Sequence, residues 1–189
     1  RTDAPVVPPL PVAEGAVSAE ELSELAAALE TAERPAIMLG GPRWTPEAAA
    51  LVTGFAERHG IPVVSDWRAG DRIRTDSPVA VGELGYSRTE DTVRVLTEAD
   101  LLLVVGTTLS DIPTDGFTLR QQHSARNWVV NVDAGLRQHS GAVTRHILAS
   151  PVAFGSAVAG MELGEHPDWT DWLEPAANAH REHMRIPLS

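Results

Sequence analysis

Short apolar blocks recur along the chain, separated by longer stretches in which apolar residues return every three or four positions. The first pattern predicts strands buried on both faces, and the second predicts amphipathic helices. Ser18 and Glu21 stand at the S-x-x-E spacing of a capping box, and Leu22, Leu25, Ala26 and Leu29 then line one helix face to about Glu33, before Pro35. Ala36-Ile37-Met38-Leu39 reads as a strand stopped by Gly40-Gly41-Pro42. Thr45 as N-cap and Pro46 at the first helical position open a second helix, with Ala49, Leu51, Val52, Phe55 and Ala56 apolar and Gly60 as its C-cap. Ile61-Pro62-Val63-Val64-Ser65 completes a βαβ unit.

A looser stretch runs from Asp66 to Tyr86, with Pro78-Val79-Ala80-Val81 as a short strand inside it. Helical spacing resumes near Thr89 with Val93, Val95 and Leu96. Leu101-Leu102-Leu103-Val104-Val105 is apolar on both faces, as a central parallel strand should be. Asn127 to Val132 and Thr144 to Leu148 are further strands, and Ser150-Pro151 caps a helix running to about Ala159. Trp169, Trp172, Leu173 and Ala176 mark a last helix from Pro167 to about Ile186, read as a detached arm after Gly164-Glu165-His166.

This alternation predicts an α/β fold: a Rossmann-like, doubly wound sheet of about six parallel strands with helices on both faces. The strands are expected at 36–39, 62–65, 79–82, 101–105, 127–132 and 144–148. In the common 3-2-1-4-5-6 order the switch point lies between the first and fourth strands, at Gly40-Gly41-Pro42-Arg43 and Gly106-Thr107-Thr108. A ligand of such a fold would sit there. Residues 1–17, with Pro5, Pro8, Pro9 and Pro11, read as a Pro-rich linker; 18–162 form the domain; 163–189 form a C-terminal linker helix.

Composition narrows the chemistry. Of 189 residues, 43% are hydrophobic, enough for a core, and no apolar run is long enough to span a membrane as a helix. The net charge of -11 leaves no broad footprint for nucleic acid or an anionic membrane surface. All 15 basic residues are Arg, which removes Schiff-base lysines and the P-loop Lys. Zero Cys removes disulfides, thiolate nucleophiles and Cys-based zinc sites, and is compatible with the expected cytoplasmic location. Because the sequence begins with Arg1 rather than Met, we expect it to be an excerpt or a processed product.

The candidate sites each carry two readings. Gly40-Gly41-Pro42 allows close approach to a pyrophosphate or simply a tight strand-to-helix turn; the G-x-G-x-x-G fingerprint is not met, since Pro42 removes an N–H and Trp44 is bulky. Gly106-Thr107-Thr108-Leu109-Ser110-Asp111 could line a ligand cleft or cap its own turn. Asp133 could accept ribose hydroxyls or satisfy a turn. The cofactor-binding candidates are therefore Gly40, Gly41, Arg43, Gly106, Thr107, Thr108 and Asp133. His180 and His183, with Glu182 between them, lack a third ligand at recognisable spacing and read as a solvated helix face, with no metal site. No G-x-S-x-G elbow is present, and no catalytic set emerges.

Several words in fixed order resemble the central domain of thiamine diphosphate-dependent enzymes, the group of acetolactate synthase, pyruvate decarboxylase and benzoylformate decarboxylase. They are residues 32–41 (AERPAIMLGG), 55–64 (FAERHGIPVV) and 98–106 (EADLLLVVG), then Ser110-Asp111 with Thr114 and Phe117, and Asn131-Val132-Asp133. The resemblance covers roughly residues 20–160. It implies a three-domain parent in which thiamine diphosphate and Mg²⁺ lie between two other domains, usually across a dimer interface. Those domains carry an activating Glu and a G-D-G…N metal motif, neither of which is present here. The central domain is mainly structural in the family, and in some members it holds FAD, ADP or a regulatory ligand in the crevice. The chain departs from the family's usual words at Pro42 and at Ala149-Ser150.

The expectation is thus an isolated central domain of a thiamine diphosphate-dependent 2-oxo acid decarboxylase or carboligase. It would have no complete active site, would be flanked in the parent by the pyrimidine- and pyrophosphate-binding domains, and would be homo-oligomeric there. The alternative is a module binding FAD or an adenine nucleotide between the Gly40 and Gly106 loops. A sirtuin-like NAD-dependent enzyme is a third reading, against which stands the missing Cys-based zinc module.

Overall fold

The computed structural model describes residues 13–86, 88–121, 126–137 and 139–185. The Pro-rich residues 1–12 and the expected end of the last helix at Ile186 lie outside the described residues. The elements are α1 (Ala19–Glu30), β1 (Pro35–Leu39), α2 (Pro46–His59), β2 (Val63–Asp66), a 3-10 turn (Gly70–Arg72), β3 (Ala80–Leu84), α3 (Glu90–Glu98), β4 (Leu101–Val105), β5 (Arg126–Val130), β6 (Val143–Ile147), α4 (Pro151–Val158) and α5 (Thr170–His183).

The helix starts follow local chemistry. The Ser18 Oγ accepts from Glu21 N at 3.1 Å while Glu21 Oε2 accepts from Ser18 N at 2.8 Å, closing the predicted capping box. Thr45, Thr89 and Ser150 each accept an N–H of the first turn, and Gly60 ends α2 in the left-handed region at φ 69°. Each such cap stabilises its helix by about 1 kcal/mol.

The six strands are parallel, as the sequence predicted, and their order β3-β2-β1-β4-β5-β6 is the common one supposed for the switch point. β1 and β4 are buried along their whole length and pair in register from Pro35 with Leu101 to Leu39 with Val105. From β1 to β2 the chain winds one way and from β3 to β4 the other, so right-handed crossovers put α2 and α3 on opposite faces. α4 packs on α2, where Gly155 lets the helices approach: a Cβ there would lie 3.1 Å from the Ala48 carbonyl oxygen.

Boundaries shift where distant residues intervene. α1 was expected to reach Glu33 but stops at Glu30, because the Asp100 carboxylate draws Glu33 N and Arg34 N to 3.0 and 2.9 Å and the Thr31 hydroxyl turns back on the Ala27 carbonyl. β2 starts at Val63 rather than at Pro62, which has no N–H to give, although its carbonyl accepts from Ile37 N at 2.9 Å. β3 runs to Leu84 instead of residue 82, passing through Gly82 at φ 113°. β5 begins at Arg126 and ends at Val130, because Asn131 already turns its side chain to Asp133 N. β6 runs from Val143 to Ile147.

The largest correction concerns the last helix. α5 is not a detached arm; it lies against β3 and α3. Trp169 and Trp172 are 2% and 6% exposed, and their indole N–H groups donate to the carbonyls of Ala32 (3.0 Å) and Pro35 (2.8 Å). Buried indoles need such acceptors, and the turn before β1 and the first residue of β1 supply them. His166 stacks on Trp169 at 4.1 Å, and the Arg94 guanidinium lies 5.0 Å from the Trp172 ring.

A buried guanidinium ties the far side of the sheet together. Arg120 is 1% exposed and in the left-handed region at φ 59°. It donates to the carbonyls of Leu96 (2.8 Å) and Ala99 (2.7 Å) at the C-terminal end of α3, and to Asn127 Oδ1 (2.5 Å) on β5. Asn127 in turn donates to the Ala142 carbonyl at 3.0 Å. Burial pushes the Arg120 pKa down to about 10, against the pull of the Asp100 charge, so it stays a cation at neutral pH.

Candidate functional site

The switch point lies where expected, at the C-terminal ends of β1 and β4. Gly40 N donates to the Val105 carbonyl at 3.1 Å and Gly106 N to the Val130 carbonyl at 2.9 Å, so each turn leaves the sheet along its neighbour. Gly41 and Gly106 are left-handed, at φ 68° and 79°. Their missing side chains are filled by protein: a Cβ on Gly41 would lie 1.9 Å from the Gly106 carbonyl oxygen, and one on Gly106 would lie 2.6 Å from the Gly40 oxygen, 2.8 Å from Pro151 and 2.9 Å from Trp44 Nε1. The Trp44 indole covers the joint and donates to the Gly40 carbonyl at 2.7 Å.

Asp66, at the end of β2, is the site residue that sequence reasoning missed. It is 6% exposed; its Oδ2 accepts from the Thr107 hydroxyl at 2.7 Å and its Oδ1 from Trp67 N at 2.8 Å. Its carboxylate stands 2.9 Å from where a Gly40 Cβ would be. Burial pushes its pKa up, the bonds from Thr107 and Trp67 oppose that, and the Glu83 charge adds to the rise. The signal was present: an Asp directly after Val63-Val64-Ser65 ends the strand next to the switch point.

The other candidates separate. Thr107 joins the glycines, with Thr108 next in the same loop, whose carbonyl accepts from Ser110 N at 2.9 Å. Arg43, at φ 71°, reaches outward and donates to the Ala13 carbonyl (2.9 Å) and Glu14 Oε1 (3.3 Å). That segment is fastened further by Ser150 N donating to the Glu14 carbonyl at 2.6 Å and by an antiparallel bridge between Gly15 and Ala149. The Ser150 hydroxyl, and then Arg43, hold the Glu14 carboxyl below its usual range. Asp133 is exposed and closes its own turn, accepting from Gly135 N at 2.8 Å.

A dinucleotide needs free N–H groups and positive charge at this turn. Here a pyrophosphate would meet the Asp66 carboxylate and the Trp44 indole, with the Arg43 cation engaged elsewhere. These residues do not fit the group. Nor do three His, Cys, Asp or Glu side chains gather to hold a metal ion among the described residues. His180 departs from the expected solvated face: it is 8% exposed, because α5 folds back onto β3. No helix of the described residues is long and apolar enough to cross a membrane.

Comparison with known proteins agrees with the sheet and its turns. Residues 22–149 match the family model described as thiamine pyrophosphate enzyme, central domain. The chain is 30% identical over 131 residues to sulfoacetaldehyde acetyltransferase of Castellaniella defragrans, covering 67% of this chain and 21% of that protein. It is 28% identical over 172 residues to the acetolactate synthase large subunit IlvG of Mycobacterium tuberculosis, covering 89% and 29%. It is 27% identical over 121 residues to 3D-(3,5/4)-trihydroxycyclohexane-1,2-dione hydrolase of Lacticaseibacillus casei, covering 64% and 18%. The matched stretch is thus less than a third of the length of each of these relatives.

Proposed function

The chain belongs to the thiamine pyrophosphate enzyme family, as its central domain, and from that premise we propose that it is the structural centre of an enzyme that decarboxylates a 2-oxo acid or joins it to a carbonyl acceptor. The observation that carries this reading is the extent of the family match, which begins inside α1, takes in all six strands and ends just before α4. Thiamine diphosphate with Mg²⁺ would supply the carbanion chemistry, held by pyrimidine- and pyrophosphate-binding domains outside this sequence. The 189 residues supply a rigid sheet, the sealed joint of Gly40, Gly41, Gly106 and Thr107, and faces for those domains and for a second copy in a cytoplasmic oligomer. Packing of the joint by Asp66 and Trp44 supports a scaffold over a nucleotide-binding module.

Three measurements test the proposal. The purified chain, given thiamine diphosphate, Mg²⁺ and pyruvate, should release no CO₂ and form no carboligation product; turnover by this chain alone would overturn it. Calorimetry with FAD and with ADP should show no heat of binding up to millimolar ligand, and micromolar binding of either would restore the nucleotide reading. DNA sequence on both sides of the coding region should encode a Glu-bearing domain upstream and G-D-G…N downstream.

A further inference from the structure

The C-terminal half of α5 roofs a cavity of about 170 Å³ at the β3 edge of the sheet. Thr75, Glu83 and Thr92 stand on the sheet side, and His180, His183 and Met184 on the helix side. His180 reaches Gly82: a Cβ there would crowd Thr92 Oγ1 at 2.6 Å and would stand in ordinary contact with His180 Nδ1 at 3.6 Å.

The two halves of α5 are held by different means. The first half carries Trp169 and Trp172, buried and hydrogen-bonded to backbone carbonyls. The second half is seated by Ala176, Ala177 and His180, small residues and one imidazole. Between them stands Pro175, whose missing N–H removes one rung of the helix and makes that point the natural place to bend. We propose that the half of α5 beyond Pro175 is an acid-released cover over this cavity, with His180 as the wedge whose protonation lifts it.

The surroundings of His180 favour the neutral ring. Among the groups facing it, β2, the loop before β3 and α3 contribute the uncharged Ser65, Thr75, Thr89 and Thr92. Its own helix contributes His183 and Arg181, whose charges oppose a second cation. Among the described residues Glu83 on β3 is the one carboxylate lining the cavity, and it is drawn towards the 68–70 loop, where Arg68 N donates to it at 3.4 Å. Desolvation first, then His183 and Arg181, pull the His180 pKa below its ordinary 6.5, against a bond to the Thr75 backbone. The undocked half binds the proton more readily than the docked half. The contribution of the neutral His180 ring to docking is therefore fully present above 6.5 and is lost as pH falls from there through the docked pKa. Each unit of difference between the two pKa values gives about tenfold more release.

Hydrogen exchange of the 189-residue chain, corrected for the intrinsic effect of pH, tests this. Between about pH 7.5 and pH 5, protection across residues 176–185 should fall while residues 170–174 and the strands keep theirs. His180→Gln, which keeps a neutral donor for the Thr75 carbonyl, should abolish the pH dependence. An NMR titration of His180 in the unaltered chain should give a midpoint below 6.5 that coincides with the opening, a readout independent of how the variant folds. The same pH profile in His180→Gln, equal loss of protection in both halves of α5, or a midpoint at or above 6.5 would each overturn the proposal.

Discussion

Replacing Arg120 by Met keeps a long apolar stem and deletes the guanidinium that bonds the end of α3 to β5. Leu96 and Ala99 are among the last carbonyls of α3, which have no partner within the helix. With Asn127 Oδ1 they make the three close acceptors that lose their donor, beside the Arg126 carbonyl at 3.4 Å, in a place where Arg120 itself is 1% exposed. Each buried acceptor left unpaired costs about 1–3 kcal/mol. Removing a buried cation returns part of that sum, because its desolvation cost disappears with it. A net loss of about 3–5 kcal/mol follows, and for a chain of this size that lowers Tm by roughly 10 °C. Thermal unfolding followed by circular dichroism measures it, with hydrogen exchange showing the loss first at the C-terminal turn of α3 and in the 115–120 loop. Arg120→Lys keeps the charge and part of the bonding and should fall between the two. A Tm of the Met variant within about 2 °C of the unaltered chain would refute the reasoning, since the three acceptors would then have found other partners at little cost.

Three further outcomes follow from the same geometry. Gly41→Ala and Gly60→Ala both place a side chain at left-handed φ, but only the first meets an atom, the Gly106 oxygen at 1.9 Å; Gly41→Ala should lower Tm far more than Gly60→Ala, which costs about 1 kcal/mol, and equal losses would refute the sealed joint. Trp172→Phe leaves the Pro35 carbonyl without its indole donor and should cost about 1–3 kcal/mol in denaturant unfolding, whereas an unchanged midpoint would mean that this hydrogen bond contributes nothing to the fold. The Asp66 pKa is raised above 3.8 in the fold, so its ionised form opposes folding: stability from this group is greatest below 3.8 and is lost as pH rises through the folded value. Asp66→Asn should therefore be at least as stable as the unaltered chain at neutral pH, and a lower Tm there would show that the charge is used.

Much of the fold is legible along the chain because its signals are local. A capping box needs four consecutive residues, a buried parallel strand five apolar ones, and a left-handed C-cap one glycine, and so Ser18, Thr45, Gly60, Leu101–Val105 and Ser150 were each read correctly. The strand order is the common one supposed for such a sheet, since alternating strands and helices with right-handed crossovers leave few arrangements. The Gly40 and Gly106 turns were placed at the switch point by that order alone.

What fills the switch point could not be read in the same way. Whether a glycine leaves room for a phosphate or for another loop depends on which atoms stand opposite it. Those atoms come from Asp66, Trp44, Gly106 and Pro151, on separate elements brought together only by the sheet. Arg43 reads as a cofactor-binding candidate in sequence and becomes the clamp on Ala13 and Glu14, its backbone left-handed at φ 71°. α5 reads as an independent amphipathic arm, since its pattern shows a face to bury and not what buries it; two carbonyls 137 residues earlier in the chain settle that for Trp169 and Trp172. Sequence by itself determined the elements, their caps and their order, because those depend on neighbours along the chain. The tertiary structure alone decided which polar groups meet in the interior, because each buried donor must find an acceptor wherever the folded chain offers one.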